Sequence, residues 1–279
     1  MKFKVSTDME YEVRSASTLI LSIHALNTSH QTVLSEQFSI IPNTGPTDIV
    51  TTGENRLWRL DIKEPGTYKI HYEALVDNFA RTVDYSDDKE LSLAELDPAV
   101  LPYLNPSRYC QCDKLHNFAH NLFGDIKTPF KQVTALTDWI HQNVKYLSGS
   151  SSTETSAFDT VTEQQGVCRD FAHVGIALCR ALNIPARYFT GYAYQLNPPD
   201  FHACFEAYLH GEWILFDATK LVPLNGMVKI ATGLDAAEAA IANIFGDTSL
   251  TAIATACELA DEGFEPIIYS DSITGIVYL

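Results

Sequence analysis

Cys168 follows Gly166 and Val167, where the run VCRDFAHVGIALCRAL takes up a helical period. If a helix begins near Val167, this thiol falls in its first turn. Unpaired N–H groups and the helix dipole favour an anion there. Thiols at such positions ionise more readily than free cysteine, and the thiolate is the nucleophilic form. Residues 168, 172, 175 and 179 are Cys, Ala, Gly and Cys, a stripe of small side chains. Residues 167, 171, 174, 178 and 182 form an ordinary apolar face. The small stripe predicts close approach to a sheet, which would bring Cys168 near strand residues. A buried structural cysteine is the alternative that the helix start alone leaves open. His173 lies five residues on, ~140° round the helix axis, and is expected to pack or face solvent rather than serve as the base.

A base must come from another element, and DFHACFEAYLHGEWILFDAT, residues 200–219, supplies one. The stretch reads as a β-hairpin turning at His210-Gly211. Alternation puts His202, Cys204, Glu206 and Tyr208 on one face of the first strand, and Trp213, Leu215, Asp217 and Thr219 on one face of the second. A two-residue turn pairs 209 with 212, which sets His202 diagonally across from Asp217. A shift of two would place them directly opposite; an odd-numbered loop without a bulge would separate them onto opposite faces. In the first two cases His202 can take the thiol proton and return it to a leaving group, while Asp217 orients the ring and supports the imidazolium.

The elements that must hold these residues follow from pattern. Residues 1–87 read as strands, among them TLILSIHAL, QTVLSEQFSII, NRLWRLDI and TYKIHYEALV, with turn signals at PNTGP (42–46) and KEPGT (63–67). The expected form is a small antiparallel β-sandwich, bounded by the acidic stretch DYSDDKE at 84–90. Residues 88–279 form the second domain. Its helical segments are predicted over 93–104, broken by prolines, over 113–123 with Asp113 as a possible cap, over 128–146 with Thr128 and Pro129 opening it, over 156–166, and at Cys168. Strands follow at 186–195, 202–209 and 212–219, then an Ala-rich helix from Asp235 with Glu238 completing its start, then two or three strands ending at GIVYL. Helices followed by a meander make the fold class α+β.

Composition bounds the partners. Of 279 residues, 46% are hydrophobic and 19% charged, a globular balance. With 35 acidic against 19 basic residues the formal charge is −16, which disfavours nucleic acid and anionic membrane. The opening MKFKVSTDMEYEV lacks the apolar core of a secretory signal, and no apolar run is long enough to span a bilayer. Six cysteines in this length are not a disulfide scaffold, so a reduced, cytoplasmic protein is expected.

GVCRDFAHVGIALCRALNIPARYFTGY, DFHACFEAYLHGEWILFDAT and WIHQNVKY together resemble a family of bacterial transglutaminase-like proteins taken to be cysteine peptidases. The resemblance covers roughly residues 91–260. It implies a papain-like, transglutaminase-like core, a helical lobe with an antiparallel sheet, preceded by a small β-sandwich. It also implies Cys168 as nucleophile, His202 as general base and acid, and Asp217 as orienting carboxylate. Two positions depart from the family pattern: Cys204 stands where an aromatic residue, often Trp, is usual, and GLDA at 233–236 lacks an arginine. The oxyanion hole would use the Cys168 backbone N–H. By analogy with papain-like enzymes it would add an upstream side chain, with Gln164, Gln165, Trp139 and Tyr146 as candidates.

The resulting expectation is a thiol-dependent amide or peptide hydrolase working through a thioester, on a peptide or protein amide substrate, with no cofactor and no metal. Transglutaminase-type transfer to an amine uses the same triad, and a non-catalytic binding module on this fold is the alternative from another class. A reversible Cys168–Cys204 disulfide could switch such a site off. Cys110, Cys112, His116 and His120 mix zinc-binding types, but their spacing is not that of a common zinc site and the helix lacks the glutamate of a metalloprotease motif. Substrate identity and oligomeric state are not legible.

Overall fold

Strict alternation of buried and exposed residues along Lys2–Val13 marks a strand with one face in a core, led by Phe3, Val5, Met9 and Tyr11. It is β1 of a computed structural model that describes residues 1–44, 48–89, 91–268 and 273–278, without the side chains of 48–52. Gly45 and Pro46 of the expected turn, Glu90 at the expected boundary and the terminal Leu279 lie outside the described residues. Further along come β2 (Ser17–Leu21), β3 (Gln31–Ile41), β4 (Asp48–Thr52), β5 (Asn55–Ile62), β6 (Gly66–Asn78) and β7 (Arg81–Asp84). The helical segment contains α1 (Cys112–Phe123), α2 (Pro129–Asn143), β8 (Lys145–Tyr146), α3 (Ala157–Glu163), β9 (Gln165–Gly166) and α4 (Cys168–Ala181). Then follow β10 (Ala186–Ala193), β11 (Phe201–Leu209), β12 (Glu212–Phe216), β13 (Met227–Gly233), β14 (Ala242–Phe245), β15 (Thr248–Leu259) and β16 (Thr274–Val277).

The sheets do not follow chain order. The sandwich consists of β15-β1-β6-β3 and β14-β2-β5-β4, so β14 and β15 return to it from beyond the core. The six-stranded sheet runs β13-β10-β11-β12-β16-β7, its last strand donated by the amino-terminal region. Strand β13 stands at the open edge of that sheet, where unpaired backbone groups need partners. The sandwich provides them. Gln31 donates to the Lys229 carbonyl and accepts its N–H, Asn55 does the same for Thr232, and Asn78 donates to the Met227 carbonyl.

The architecture is α+β, a core of helices and antiparallel sheet behind an amino-terminal sandwich. Helix α4 is its axis: every residue from Asp170 to Ala181 is buried. It lies on β10 and β11, with α1, α2 and α3 packed around it. The small-residue stripe allows this approach, since a methyl group at Gly175 would run into the Phe205 ring of β11.

Local starts and stops differ from expectation in several places. The helices expected over 128–146 and 156–166 end at Asn143 and Glu163, and residues 145–146 and 165–166 pair instead as the short strands β8 and β9. The 93–104 segment forms two short 3-10 turns, Leu93–Glu95 and Pro98–Leu104. Helix α1 begins at Cys112, which puts Asp113 inside the first turn rather than at the cap. The Ala-rich helix at Asp235 is a single turn. The Asp235 carboxylate is occupied by the N–H groups of Tyr109 and Ala237, and the chain enters β14 before a second turn could offset the cost of nucleation.

Candidate active site

Helix α4 starts where the sequence predicts. Val167 is extended and Cys168 is the first helical residue. Asp170, fully buried, fixes this start by accepting the Val167 N–H at 2.8 Å and the Ser151 hydroxyl at 3.0 Å. Its carboxylate lies so close to residue 166 that only glycine fits there. The helix therefore opens on a braced turn, with the half-buried Cys168 thiol at its tip.

The hairpin keeps the two-residue turn, with Leu209 opposite Glu212 and Phe205 opposite Phe216. Strand β12 ends at Phe216, and Asp217 swings back toward His202 from just beyond it. His202 Nε2 stands 2.8 Å from Asp217 Oδ2 with both residues about 1% exposed. The other Asp217 oxygen accepts the Thr219 N–H at 2.8 Å and the Thr219 hydroxyl at 2.7 Å. The second ring nitrogen, Nδ1, is buried and carries no hydrogen bond in the resting structure. Burial alone would push the imidazole down, but Asp217, Cys204 and the interaction with Cys168 outweigh it and hold His202 well above its usual 6.5. Cys168 and His202 share the wall of a cleft of about 550 Å³. A thiol, an imidazole and a carboxylate are thus brought to one place from a helix tip, a strand and a strand end.

Tyr146 joins this site through a short parallel ladder. Strand β8 pairs with β9, Tyr146 opposite Gly166, two residues before the thiol. Burial first, and then the Cys168 sulfur, push the Tyr146 phenol up to about 12, while the Cys168 backbone N–H acts in the opposite sense. Of the other oxyanion candidates, Gln164 is an exposed left-handed residue ending α3, Gln165 lies in β9, and Trp139 packs edge-on against Phe118 and Phe123. His173 is a packing residue, as expected. It is fully buried, accepts the Ala236 N–H and stacks on Tyr109, and burial lowers its pKa to about 3.

The cysteines and histidines weighed for zinc do not meet. Cys110 and Cys112 face the core, whereas His116 and His120 stack on each other on the exposed face of α1. Among the described residues, one group has metal-ligand types in reach of each other: His202, Cys204 and Asp217, within 4.8 Å. Seating an ion there would break the His202–Asp217 hydrogen bond, so the residues present fit a hydrogen-bonded base better than a metal centre. Cys204 itself packs with Phe189, Leu215 and Tyr278, and burial pushes its thiol up to about 12. That is the condition of a filler thiol, which remains protonated and poorly nucleophilic.

Comparison with known proteins bears on this geometry. Residues 116–218, which contain Cys168, His202 and Asp217, match the transglutaminase-like superfamily, and residues 1–99 match the bacterial transglutaminase N-terminal domain. The crystal structure of a "Putative Cysteine Protease" from Cytophaga hutchinsonii is 50% identical over 100% of this chain and 98% of that one, with a TM-score of 0.98. The chain belongs to the transglutaminase-like superfamily. Among curated relatives of this transglutaminase-like chain, an uncharacterized protein of Mycobacterium leprae is 28% identical over 116 residues, and one of Mycobacterium bovis is 35% identical over 74. These matches span 41% and 24% of the relatives' own lengths. No described helix of the chain is long and apolar enough to cross a membrane.

Two residues of the site escaped the sequence. Asp170 shows only as an acidic third position of a helix, and Thr219 only as a hydroxyl two residues after Asp217. Each gains meaning from the hydrogen bonds it makes in the fold.

Proposed function

We propose that this chain is a thiol-dependent amide or peptide hydrolase in which Cys168, His202 and Asp217 form the triad. The observation that carries the reading is the buried 2.8 Å His202–Asp217 pair, whose imidazole shares the wall of a cleft with the helix-tip thiol. Cys168 passes its proton to His202 Nδ1, and the sulfur adds to the acyl carbon. The Cys168 N–H and the Tyr146 hydroxyl donate to the developing oxyanion. His202 protonates the leaving amine, which departs and leaves a thioester. It then takes a proton from water, whose oxygen attacks the thioester and releases the acid. Asp217, fixed by Thr219, holds Nε2 and balances the imidazolium throughout.

Hydrolysis is preferred to transfer because the cleft rim at Arg108 and Thr153 is exposed, which gives water access to the thioester. The six unpaired cysteines fit a reducing compartment, and we assign the protein to the cytoplasm on that ground. The test pairs a thiol-reactive amide probe with a peptide-amide library assayed with and without added amine. The expected result is labelling at Cys168, lost in Cys168→Ala and sharply weakened in His202→Ala, with free acid as product. An amine conjugate as main product would make the chain an acyltransferase. Equal labelling of all accessible cysteines, without turnover, would make it a binding module.

A further inference from the structure

The cleft beside the thiol is cationic in a strongly acidic chain. Its wall carries Arg108 and Arg169, and among the described residues no aspartate or glutamate lines it, although the chain has 35 acidic residues. Both guanidiniums lie near one ring: Arg108 is 5.0 Å and Arg169 5.9 Å from the centre of Tyr109. That ring is rigidly held. It stacks on His173 at 4.9 Å, its hydroxyl donates to the Thr153 carbonyl at 2.8 Å, and its backbone N–H binds Asp235. Arg169, next to the nucleophile, is anchored through Nη2 alone, to Ser151, the Ser152 carbonyl and Asp170, and its Nε makes no hydrogen bond.

The carboxylates near these cations stand behind the wall. Asp170 pairs with Arg169 from beneath the helix start, while Asp235 and Glu154 act on Arg108 only through space. In the same lining, Ala236, Ala237, Ala239 and Ala240 offer an apolar surface. Such a surface accepts an extended backbone with small side chains and contributes no competing charge.

We infer that this cleft selects peptides bearing a carboxylate close to the scissile amide, clamped between Arg108 and Arg169. The inference rests on reading the cleft as the peptide site, and it adds the substrate class. Guanidinium–carboxylate pairs are among the strongest hydrogen-bonded contacts, and Arg169, already held by Ser151 and Asp170, loses little freedom on binding. An amide isostere of the same shape would keep the packing and lose the charge-assisted bonds.

Binding is measured on the full chain carrying Cys168→Ala, which separates recognition from turnover. The ligands are N-acetylated peptide amides, identical except for Glu, Gln or Lys at one position at a time, plus a Gln peptide ending in a free carboxylate. The Glu peptide is expected to bind ~10-fold or more tightly than its Gln twin at one position, with Lys weakest, and added salt should narrow the gap. Adding Arg108→Glu should reduce the Glu:Gln ratio to one or below. Tight binding of the free-acid Gln peptide alone would assign the clamp to a chain terminus rather than a side chain. Glu and Gln peptides within twofold of each other and no gain from a terminal acid, a ratio untouched by Arg108→Glu, or no binding by any peptide of the set would each overturn the inference. Failure of turnover in the unsubstituted chain would instead count against the hydrolase reading.

Discussion

His202 shows how a single side chain's surroundings set its chemistry. A buried imidazole ordinarily loses its proton, yet Asp217 at 2.8 Å reverses that and holds the ring well above 6.5. The alkaline limb of kcat/KM therefore reports loss of the His202 proton at a pH well above 6.5, because the leaving amine must receive that proton. Asp217→Asn is expected to move this limb to lower pH and cut kcat/KM by ~10²–10⁴-fold. A pH–rate profile of the two proteins checks both effects, and an unmoved limb would remove Asp217 from the triad. The same linkage fixes a stability sign. The folded value is raised, so the His202–Asp217 pair contributes fully below the unfolded value near 6.5, and its contribution fades as pH rises through the folded value. Cys168, His202 and Asp217 were legible as residue types at telling positions. That Tyr146 lies beside the Cys168 turn was not legible, because a residue placed by a two-residue parallel ladder leaves no periodic trace.

At the scale of elements, the contact that matters is α4 on β11. Gly175 faces the Phe205 ring, and this lets the helix lie against the strand two turns beyond the nucleophile. Helix propensity alone favours alanine over glycine by ~1 kcal/mol. The added methyl overpacks the contact, so Gly175→Ala is expected to destabilise the chain by ~1–3 kcal/mol net in urea unfolding. Adding Phe205→Leu should recover part of that loss; a stabilised single variant would contradict the packing account. Helix periods and the hairpin turn were readable, since each is encoded within a few residues. The Asp235 helix was misread for the opposite reason: its capping carboxylate is bound to Tyr109, 126 residues away in the chain.

At the scale of the whole molecule, two buried histidines link stability to pH. Burial lowers His24, in the sandwich, to about 4, and His173, beneath Tyr109, to about 3. Both folded values are depressed, so the unfolded chain binds more protons as pH falls below 6.5, and stability drops until those values are passed. A Tm lower at pH 4.5 than at pH 7 is expected, with a smaller drop in His173→Gln; an equal drop would assign the acid lability elsewhere. Sequence by itself determined the α+β class, the two patterns of strand and helix, and which thiol, imidazole and carboxylate could form a triad. These are carried by local spacing and by the chemistry of single side chains. Tertiary structure alone decided that β14 and β15 complete the sandwich, that Gln31, Asn55 and Asn78 cap the edge of β13, and that two arginines gather at Tyr109 in the cleft. The physical reason is that such pairings join residues far apart in the chain. Their free energy comes from satisfying buried polar groups and burying apolar surface, and no short stretch of sequence contains both partners.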